Sequence, residues 1–245
     1  MLIYSSPYEQ GGTCPKFARA FAKGCGGETR VTAEYQGGGW AGFGSPMTWE
    51  SLLAARKAGD DWYYGDHAYF GRNEYYRITR NAFQHDGCGE PDYSRLVPLV
   101  WPHPWRRDGR HVLVCPPDNK IAPLMGFDEA AWLIDVQQRL HNNTDRTIKV
   151  RTRDQADAHP LERDLDGAWA LVTWGSNAAV EALVAGVPVF CTGDCAASRM
   201  GRSDPINIEY PFYPDDRDEW AAVLAANQWT LDEIASGMAW EVLSR

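Results

Sequence analysis

The segment 168–190 constrains the fold more than any other part of the sequence. An apolar run over Ala168–Thr173 is followed by the small, polar residues 175–177, by a helical stretch that Gly186 ends, and by a second apolar run at 187–190. Two apolar strands separated by one short helix form a parallel pair with a crossover connection. A parallel sheet is buried on both faces and needs helices on each, so the segment predicts an α/β protein.

The same alternation occurs along most of the chain. It predicts further strands at 2–4, 30–35, 61–64, 111–115 and 147–151, helices at 14–23, 48–57 and 128–140, and a loop at 37–44. Thr230 and Glu233 have the spacing of a capping box and predict the start of a last helix. The proline-rich stretch 87–110 interrupts the alternation and reads as a linker. We therefore expect two small, doubly wound, Rossmann-like domains facing a cleft, at 1–105 and 106–245.

Composition excludes several classes of protein. The formal net charge of −9 argues against a surface that binds nucleic acid all over, so basic clusters must be considered singly. The chain contains no apolar run approaching the roughly 20 residues of a membrane span, and its start does not resemble a signal peptide, so we expect a cytoplasmic protein. Six cysteines without CxxC spacing are expected to be free thiols, and neither a metal nor a cofactor is expected.

The turn after the strand at 168–173 is the most specific motif. Gly175, Ser176 and Asn177 open a helix whose positive end can bind phosphate. Glu181 lies four residues after Asn177 on the same helix face, where its carboxylate can accept hydrogen bonds from a nucleotide ribose. The alternative is a capped βα unit with an incidental glutamate.

This segment resembles the donor-binding motif of GT-B glycosyltransferases, especially the capsule-polysaccharide and Kdo-transferase-like kind. The resemblance lies in the small residues of the turn, Glu-Ala-Leu at 181–183 and Gly-Val-Pro-Val at 186–189. It implies a GT-B fold, a nucleotide-sugar donor, expected to be UDP-linked, and a ribose-binding role for Glu181. It also implies C-terminal helices that return to the first domain.

A basic strand end supplies further donor contacts. Similar GT-B proteins carry a basic, often His-Pro-containing, phosphate-contacting loop after the preceding strand. Here that place is taken by Arg151 and Arg153, while the His-Pro pair is displaced to His159-Pro160. Because strand residues alternate, only one of the two arginines is expected to point into the cleft. A surface role for both is the alternative.

A candidate catalytic pair follows the third predicted strand. Glycosyl transfer with inversion needs a base for the acceptor hydroxyl proton, and Asp66 is the first choice. His67 is the alternative base, an orienting group, or a turn residue satisfied by backbone. The glycine-rich loops match neither GxGxxG nor GxxxxGK[ST], which disfavours dinucleotide oxidoreductases and P-loop ATPases.

The sequence indicates more than one class of acceptor molecule. A compact GT-B chain without an anchor resembles phage enzymes that glycosylate hydroxymethylated pyrimidines in DNA. That reading assigns the DNA backbone to Arg72, Arg106 and Arg107, and the vacated base stack to Trp40 or Trp62. The alternatives are a surface-polysaccharide, Kdo-like glycosyltransferase and a non-catalytic nucleotide-sugar-binding module.

Overall fold

A computed structural model describes residues 1–5, 12–32, 34–72, 74–117, 121–152, 155 and 158–245, with the backbone alone at 121 and 123. The strands are β1 Leu2–Ser5, β2 Glu28–Val31, β3 Trp40–Phe43, β4 Trp62–His67, β5 Tyr75–Arg80, β6 His111–Cys115, β7 Thr147–Val150, β8 Ala168–Thr173, β9 Val189–Cys191 and β10 Gln228–Thr230. The helices are α1 Thr13–Cys25, α2 Trp49–Ala58, α3 Tyr93–Leu96, α4 Ile121–Leu124, α5 Glu129–Asn143, α6 Leu161–Leu165, α7 Ala178–Val184, α8 Arg217–Ala226, α9 Leu231–Ser236 and α10 Met238–Leu243. None of these helices is long and apolar enough to cross a bilayer.

The chain divides into two units. Unit 1 comprises Met1–His85 and Asn227–Arg245, and unit 2 comprises Asp86–Ala226. The boundary precedes the expected one at 105/106, because the start of the proline-rich stretch packs within unit 2. There the amide of Asp92 donates to the carbonyl of Ala222 (3.2 Å), and α3 packs on α8.

Unit 1 contains a mixed sheet in the order β10-β5-β4-β3-β1-β2. Strands β2, β1, β3 and β4 run parallel, whereas β5 is antiparallel to both β4 and β10. Helix α1 covers one face because its apolar residues recur at helical spacing, and Phe17 and Phe21 are fully buried against the sheet. The predicted capping box is confirmed at the start of α9, where Thr230 and Glu233 bond reciprocally.

Two strands of unit 1 lie outside the sequence expectation. Residues 40–43, expected in a loop, form β3 in the interior of the sheet, and all four are buried. The strand was predicted as a loop because it contains glycine, which is rare in strands. A Cβ on Gly42 would lie 2.8 Å from the Trp40 ring, so only glycine fits at this position. Residues 75–80, which the sequence showed only as part of a basic cluster, form β5, and β4 extends to His67.

Unit 2 contains a fully parallel sheet in the order β7-β6-β8-β9. Its central strands, β6 and β8, have the bounds expected from the sequence, and α5 begins after Asp128, whose side chain accepts from the Ala131 amide. Order reverses between β6 and β8, since the chain crosses from β6 to β7 on one side and from β8 to β9 on the other. In open α/β sheets, ligands bind at the carboxyl ends of strands beside such a reversal.

Candidate functional site

The predicted donor turn lies at this switch point. Gly175, Ser176 and Asn177 follow β8 at the carboxyl edge of the sheet and lead into α7. Two of the turn's donors are engaged locally: the Ser176 amide donates to Thr173 Oγ1 (3.3 Å), and the Ser176 hydroxyl accepts from the Ala178 amide (3.2 Å). These bonds fix the turn, and they leave fewer amides for a phosphate than the sequence suggested.

Asn177 has an unsatisfied side chain. Its Oδ1 is buried and has no hydrogen-bond partner among the residues that the structure describes. A buried acceptor without a partner costs about 1–3 kcal/mol, so a ligand that donated a hydrogen bond here would recover that free energy. Glu181 lies one turn further along, with an exposed side chain, and its amide donates to the Asn177 carbonyl (3.2 Å). The two side chains therefore follow each other on one side of α7.

Arg151 is a buried ion-pair partner. Its side chain, 7% exposed, pairs with Asp164, and its Nη2 donates to the His159 carbonyl (2.7 Å). His159 Nε2 lies 2.9 Å from Asp164 Oδ2. Burial opposes ionisation of Asp164, but the hydrogen bonds from Arg151 and His159 outweigh it and lower the pKa of Asp164. His159-Pro160 lies later in the sequence than the resemblance leads one to expect, but these contacts hold His159 close to the end of β7.

These contacts change what Arg151 can do. A guanidinium held by a carboxylate and a carbonyl has fewer donors left for phosphate, so its main contact is with Asp164, a residue that sequence reasoning missed. The predicted partner Arg153 lies outside the described residues. Nearby, burial raises the pKa of Cys115, at the end of β6, to about 12. The carboxyl ends of β6 and β7 are therefore occupied by a neutral thiol and an ion pair.

The candidate catalytic pair ends β4 in unit 1. Asp66 Oδ2 pairs with Arg77 Nη2 (2.5 Å) on the adjacent strand β5, and Asp66 Oδ1 accepts from the His67 amide (2.7 Å). Arg77 is 4% exposed and also donates to the carbonyl of His67, the hydroxyl of Tyr69 and the carbonyl of Phe83. Both oxygens of Asp66 are thus engaged by neighbouring protein groups.

His67 has a fixed tautomer. Its ring packs edge-on against Phe43, with centroids 5.2 Å apart, and its Nδ1 lies 3.1 Å from the Arg72 carbonyl. A carbonyl oxygen can only accept, so Nδ1 carries the proton in the neutral ring and Nε2 carries the lone pair. Among the described residues, Nε2 has no hydrogen-bond partner. His67 therefore presents a nitrogen that can accept a proton, whereas Asp66 is held by its partners.

Two of the predicted DNA-binding residues contact other groups of unit 2. Arg106 donates to the carbonyl of Leu165 (3.0 Å), and Arg107 covers the Tyr213 ring at 4.3 Å. The Arg106 amide bonds Gly186, just ahead of β9, so Arg106 lies at the amino edge of the unit 2 sheet, opposite the donor turn. Arg72 is exposed in unit 1.

Arg77 and Arg80 follow Arg72 in the sequence, and both are already paired. Arg77 holds Asp66, and Arg80 pairs with Asp61 (2.7 Å). Trp40 is fully buried, with its indole N–H on Ser51, and Trp62 is 7% exposed. Both are core residues and cannot occupy a vacated base stack, so that part of the DNA reading was wrong.

Comparison with known proteins places this geometry in context. No family model and no curated protein matches the chain. Among solved structures, a Thermosulfurimonas dismutans KpsC chain described as a β-Kdo 2,4 transferase matches 91% of this chain and 90% of its own, at 12% identity and a TM-score of 0.53. A second KpsC chain, described as a β-Kdo 2,7 transferase, matches 99% of this chain and 100% of its own, at 12% identity and a TM-score of 0.51.

The chain shares the fold of these two transferases. At 12% identity the likeness concerns the fold alone. The predicted α/β class is confirmed, and the glycosyltransferase-like fold that the 170–190 segment indicated is supported over nearly the whole length of the chain. The assignment of individual site residues stays a prediction.

Proposed function

We propose that this chain is a GT-B glycosyltransferase that moves a sugar from a nucleotide-sugar donor to a hydroxyl of a surface polysaccharide. One observation carries the proposal: the β8–α7 turn, with the orphaned Asn177 side chain and Glu181, lies at the switch point of a parallel sheet in a fold shared with two Kdo transferases. A non-catalytic binding module, the alternative, would also use this turn to bind a nucleotide sugar, but it would not need Asp66 and His67 at the end of β4.

The donor would bind across the carboxyl edge of the unit 2 sheet. Glu181 would accept hydrogen bonds from the ribose hydroxyls, and Asn177 Oδ1 would accept one from the nucleotide. The phosphates would lie beside Gly175 and Ser176 at the start of α7. Arg151, paired with Asp164, would help to hold this edge of the sheet in place.

His67 is the better candidate for the base. As the acceptor oxygen attacks the anomeric carbon, its proton would pass to Nε2 while the bond from that carbon to the phosphate oxygen breaks and the nucleotide leaves. Asp66, bonded to the His67 amide and to Arg77, would hold the backbone from which the His67 ring extends. This reverses the first choice made from the sequence, because both oxygens of Asp66 are engaged and His67 Nε2 has no partner among the described residues.

A polysaccharide acceptor is favoured over DNA for two reasons. Both neighbours are described as Kdo transferases, which is the surface-polysaccharide alternative. In addition, Arg106 and Arg107 are engaged with a carbonyl and an aromatic ring, and the tryptophans assigned to the base stack are core residues.

The proposal is tested by transfer. The purified chain is incubated with UDP-, GDP- and CMP-linked sugars, an activated Kdo included, and either Kdo-containing oligosaccharides or hydroxymethylated DNA. We expect free nucleotide, and a gain of one sugar mass on the oligosaccharide alone. Sugar transfer to DNA would restore the first reading of the acceptor. Nucleotide binding without hydrolysis or transfer would favour the binding module.

A further inference from the structure

A cavity lies beside the predicted donor turn in unit 2. Its volume is about 430 Å³, within the range of about 300–1,000 Å³ typical of small-molecule sites. Three aromatic residues line it: Phe127 ahead of α5, Trp132 in the first turns of α5, and Trp174 directly after β8. Trp174 immediately precedes Gly175, so the cavity adjoins the turn that carries the proposed donor site.

The aromatic walls are held in place by contacts within unit 2. The Phe127 and Trp174 rings stack with centroids 4.7 Å apart, and Trp132 Nε1 donates to Thr192 Oγ1 (2.7 Å). The backbone of Gly193 lies against the Trp174 indole, where a Cβ would come within 2.4 Å of the ring. Preformed walls reduce the entropy that a ligand must lose to bind.

Neither of these tryptophans is fully buried, and Trp132 also packs against the core cluster of unit 2. Trp132 and Trp174 are half-buried, whereas Trp40 and Trp220 are fully buried and Trp229 nearly so. Leaving a large aromatic surface partly exposed forgoes hydrophobic stabilisation of about 25 cal/mol for each Å² left in water. Two such rings around one cavity indicate a surface kept for a ligand.

The polar groups of the cavity define the ligand's charge. Asp128 and Asp135 line it with Arg139, which is the one cation among the described lining residues. Arg139 Nε is paired with Asp135 Oδ2 (2.8 Å), and its Nη1 lies 3.6 Å from Asp204 Oδ1. The positive charge is therefore neutralised, and a phosphate or carboxylate ligand would meet net negative potential. An uncharged ligand rich in hydroxyl donors fits these carboxylates.

We infer that this cavity is a saccharide subsite that holds an uncharged pyranose ring. The ring's C–H face would lie on the tryptophans, and its hydroxyls would donate to the aspartates and exchange hydrogen bonds with Thr192. The inference rests on the proposed function and adds a specificity to it, namely a neutral sugar unit next to the donor turn. The sugar could belong to the acceptor glycan or to the donor, and the chemistry of recognition is the same.

Calorimetry on the full chain tests the inference. The probes are neutral gluco-, galacto- and manno-oligosaccharides, an acidic oligosaccharide, and UDP and CMP with and without a neutral sugar attached. We expect a neutral saccharide to bind. Trp132→Ala and Trp174→Ala should each weaken it about tenfold or more, while Trp101→Ala, which removes an exposed tryptophan elsewhere in unit 2, leaves it unchanged.

Three results would overturn the inference. The first is that no neutral saccharide binds, and the second is that the Trp132 and Trp174 substitutions leave saccharide binding unchanged. The third is that Trp132→Ala lowers the affinity for free nucleotide and for sugar-linked nucleotide equally, which would make this a nucleobase pocket. If a tryptophan variant unfolds, Asp135→Asn replaces it, since its side chain is 57% exposed. Donor hydrolysis is measured separately: saccharide binding without hydrolysis would reject the proposed function but keep the subsite.

Discussion

At the scale of single residues, three arginines that look alike in the sequence have different roles. Arg77 and Arg151 are buried and paired with Asp66 and Asp164, so they hold carboxylates of this chain. Arg106 contacts a carbonyl at the opposite sheet edge from the donor turn. Arg77 and Arg151 lose hydration on burial and their charge is taken up by their carboxylate partners, so it is not available to a ligand.

Glu181→Ala should lower donor affinity about ten- to a hundredfold. The reason is the loss of charge-assisted hydrogen bonds to ribose, which contribute about 1.5–3 kcal/mol. Titration calorimetry with the nucleotide checks this, and Glu162→Ala, another exposed glutamate of unit 2, serves as the matched control. Equal affinity in both variants would remove Glu181 from the ribose site.

Substituting each member of the candidate catalytic pair singly should separate their roles. His67→Gln should lower the transfer rate about 10²–10⁴-fold with little change in stability, because it removes the proton acceptor. Asp66→Asn should instead lower the free energy of unfolding by about 1–3 kcal/mol, because it leaves the buried Arg77 without its counter-charge.

Transfer rates and urea unfolding are measured on both variants. The double variant Asp66→Asn/Arg77→Gln controls for the lost ion pair. A stable Asp66→Asn chain that is inactive, beside a His67→Gln chain that turns over normally, would return the reacting role to the carboxylate.

At the scale of elements, close approach of helix and strand positions the end of β4. Gly65 precedes Asp66, and a Cβ there would lie 2.2 Å from the Phe17 ring of α1. Helix α1 therefore packs directly on the backbone that carries the candidate catalytic pair. The bulk of Phe17 and the absence of a side chain at residue 65 are complementary, and changing one alone moves the other.

Gly65→Ala should lower the free energy of unfolding by about 1–3 kcal/mol through overpacking. Adding Phe17→Leu should restore part of that loss, because the smaller side chain makes room for the new methyl group. Thermal and urea denaturation of the wild type, both single variants and the double variant measure the coupling between the two positions. Additive effects would mean that the two residues do not share this contact.

At the scale of the whole molecule, the chain is built as an insertion. Unit 1 contains both ends of the sequence, since β10 adds to its sheet beside β5 and α9 packs on α1. Unit 2 is one continuous segment with its own parallel sheet and its own core cluster. Continuity and a separate core are what independent folding requires.

The fragment 86–226 should fold by itself, and the fragment 1–226 should contain a folded unit 2 with an unfolded unit 1. The second fragment loses the edge strand β10 and the helix partners of α1. Amide exchange measured by NMR or mass spectrometry would show protected amides in β6 and β8 of both fragments. Protection of β1 and β3 in the fragment 1–226 would show that unit 1 does not need the C-terminal segment.

Stability should fall on mild acidification. Burial lowers the pKa of His111, which is 4% exposed at the start of β6, below its ordinary value of 6.5. The folded state therefore binds this proton less readily than the unfolded state. The stabilisation is complete above pH 6.5 and is lost as the pH falls below it, by at most about 1.4 kcal/mol per pH unit for one group. Urea unfolding between pH 7 and 5 should show a flatter profile in His111→Gln.

The sequence by itself determined what depends on neighbouring residues. Strands β6 and β8, the turn before α7 and the capping box at Thr230 are specified by local apolar runs, small residues and caps. Each of these signals lies within a few residues of the element that it specifies. Periodicity and capping could therefore indicate the α/β class and the turn between β8 and α7.

Only the tertiary structure decided the rest. Strand β3 forms because its glycine fits against Trp40 in the sheet interior, and Arg77 and Arg151 find carboxylates 11 and 13 residues away along the chain. The cavity lined by Trp132 and Trp174 joins the carboxyl edge of a sheet to a helix far from it in sequence. Pairing of buried charges and packing of rings depend on distance in space. Composition and spacing along the chain do not give the distance in space between two side chains. For that reason the sequence predicted ligand contacts for arginines and tryptophans that pair or pack within the protein.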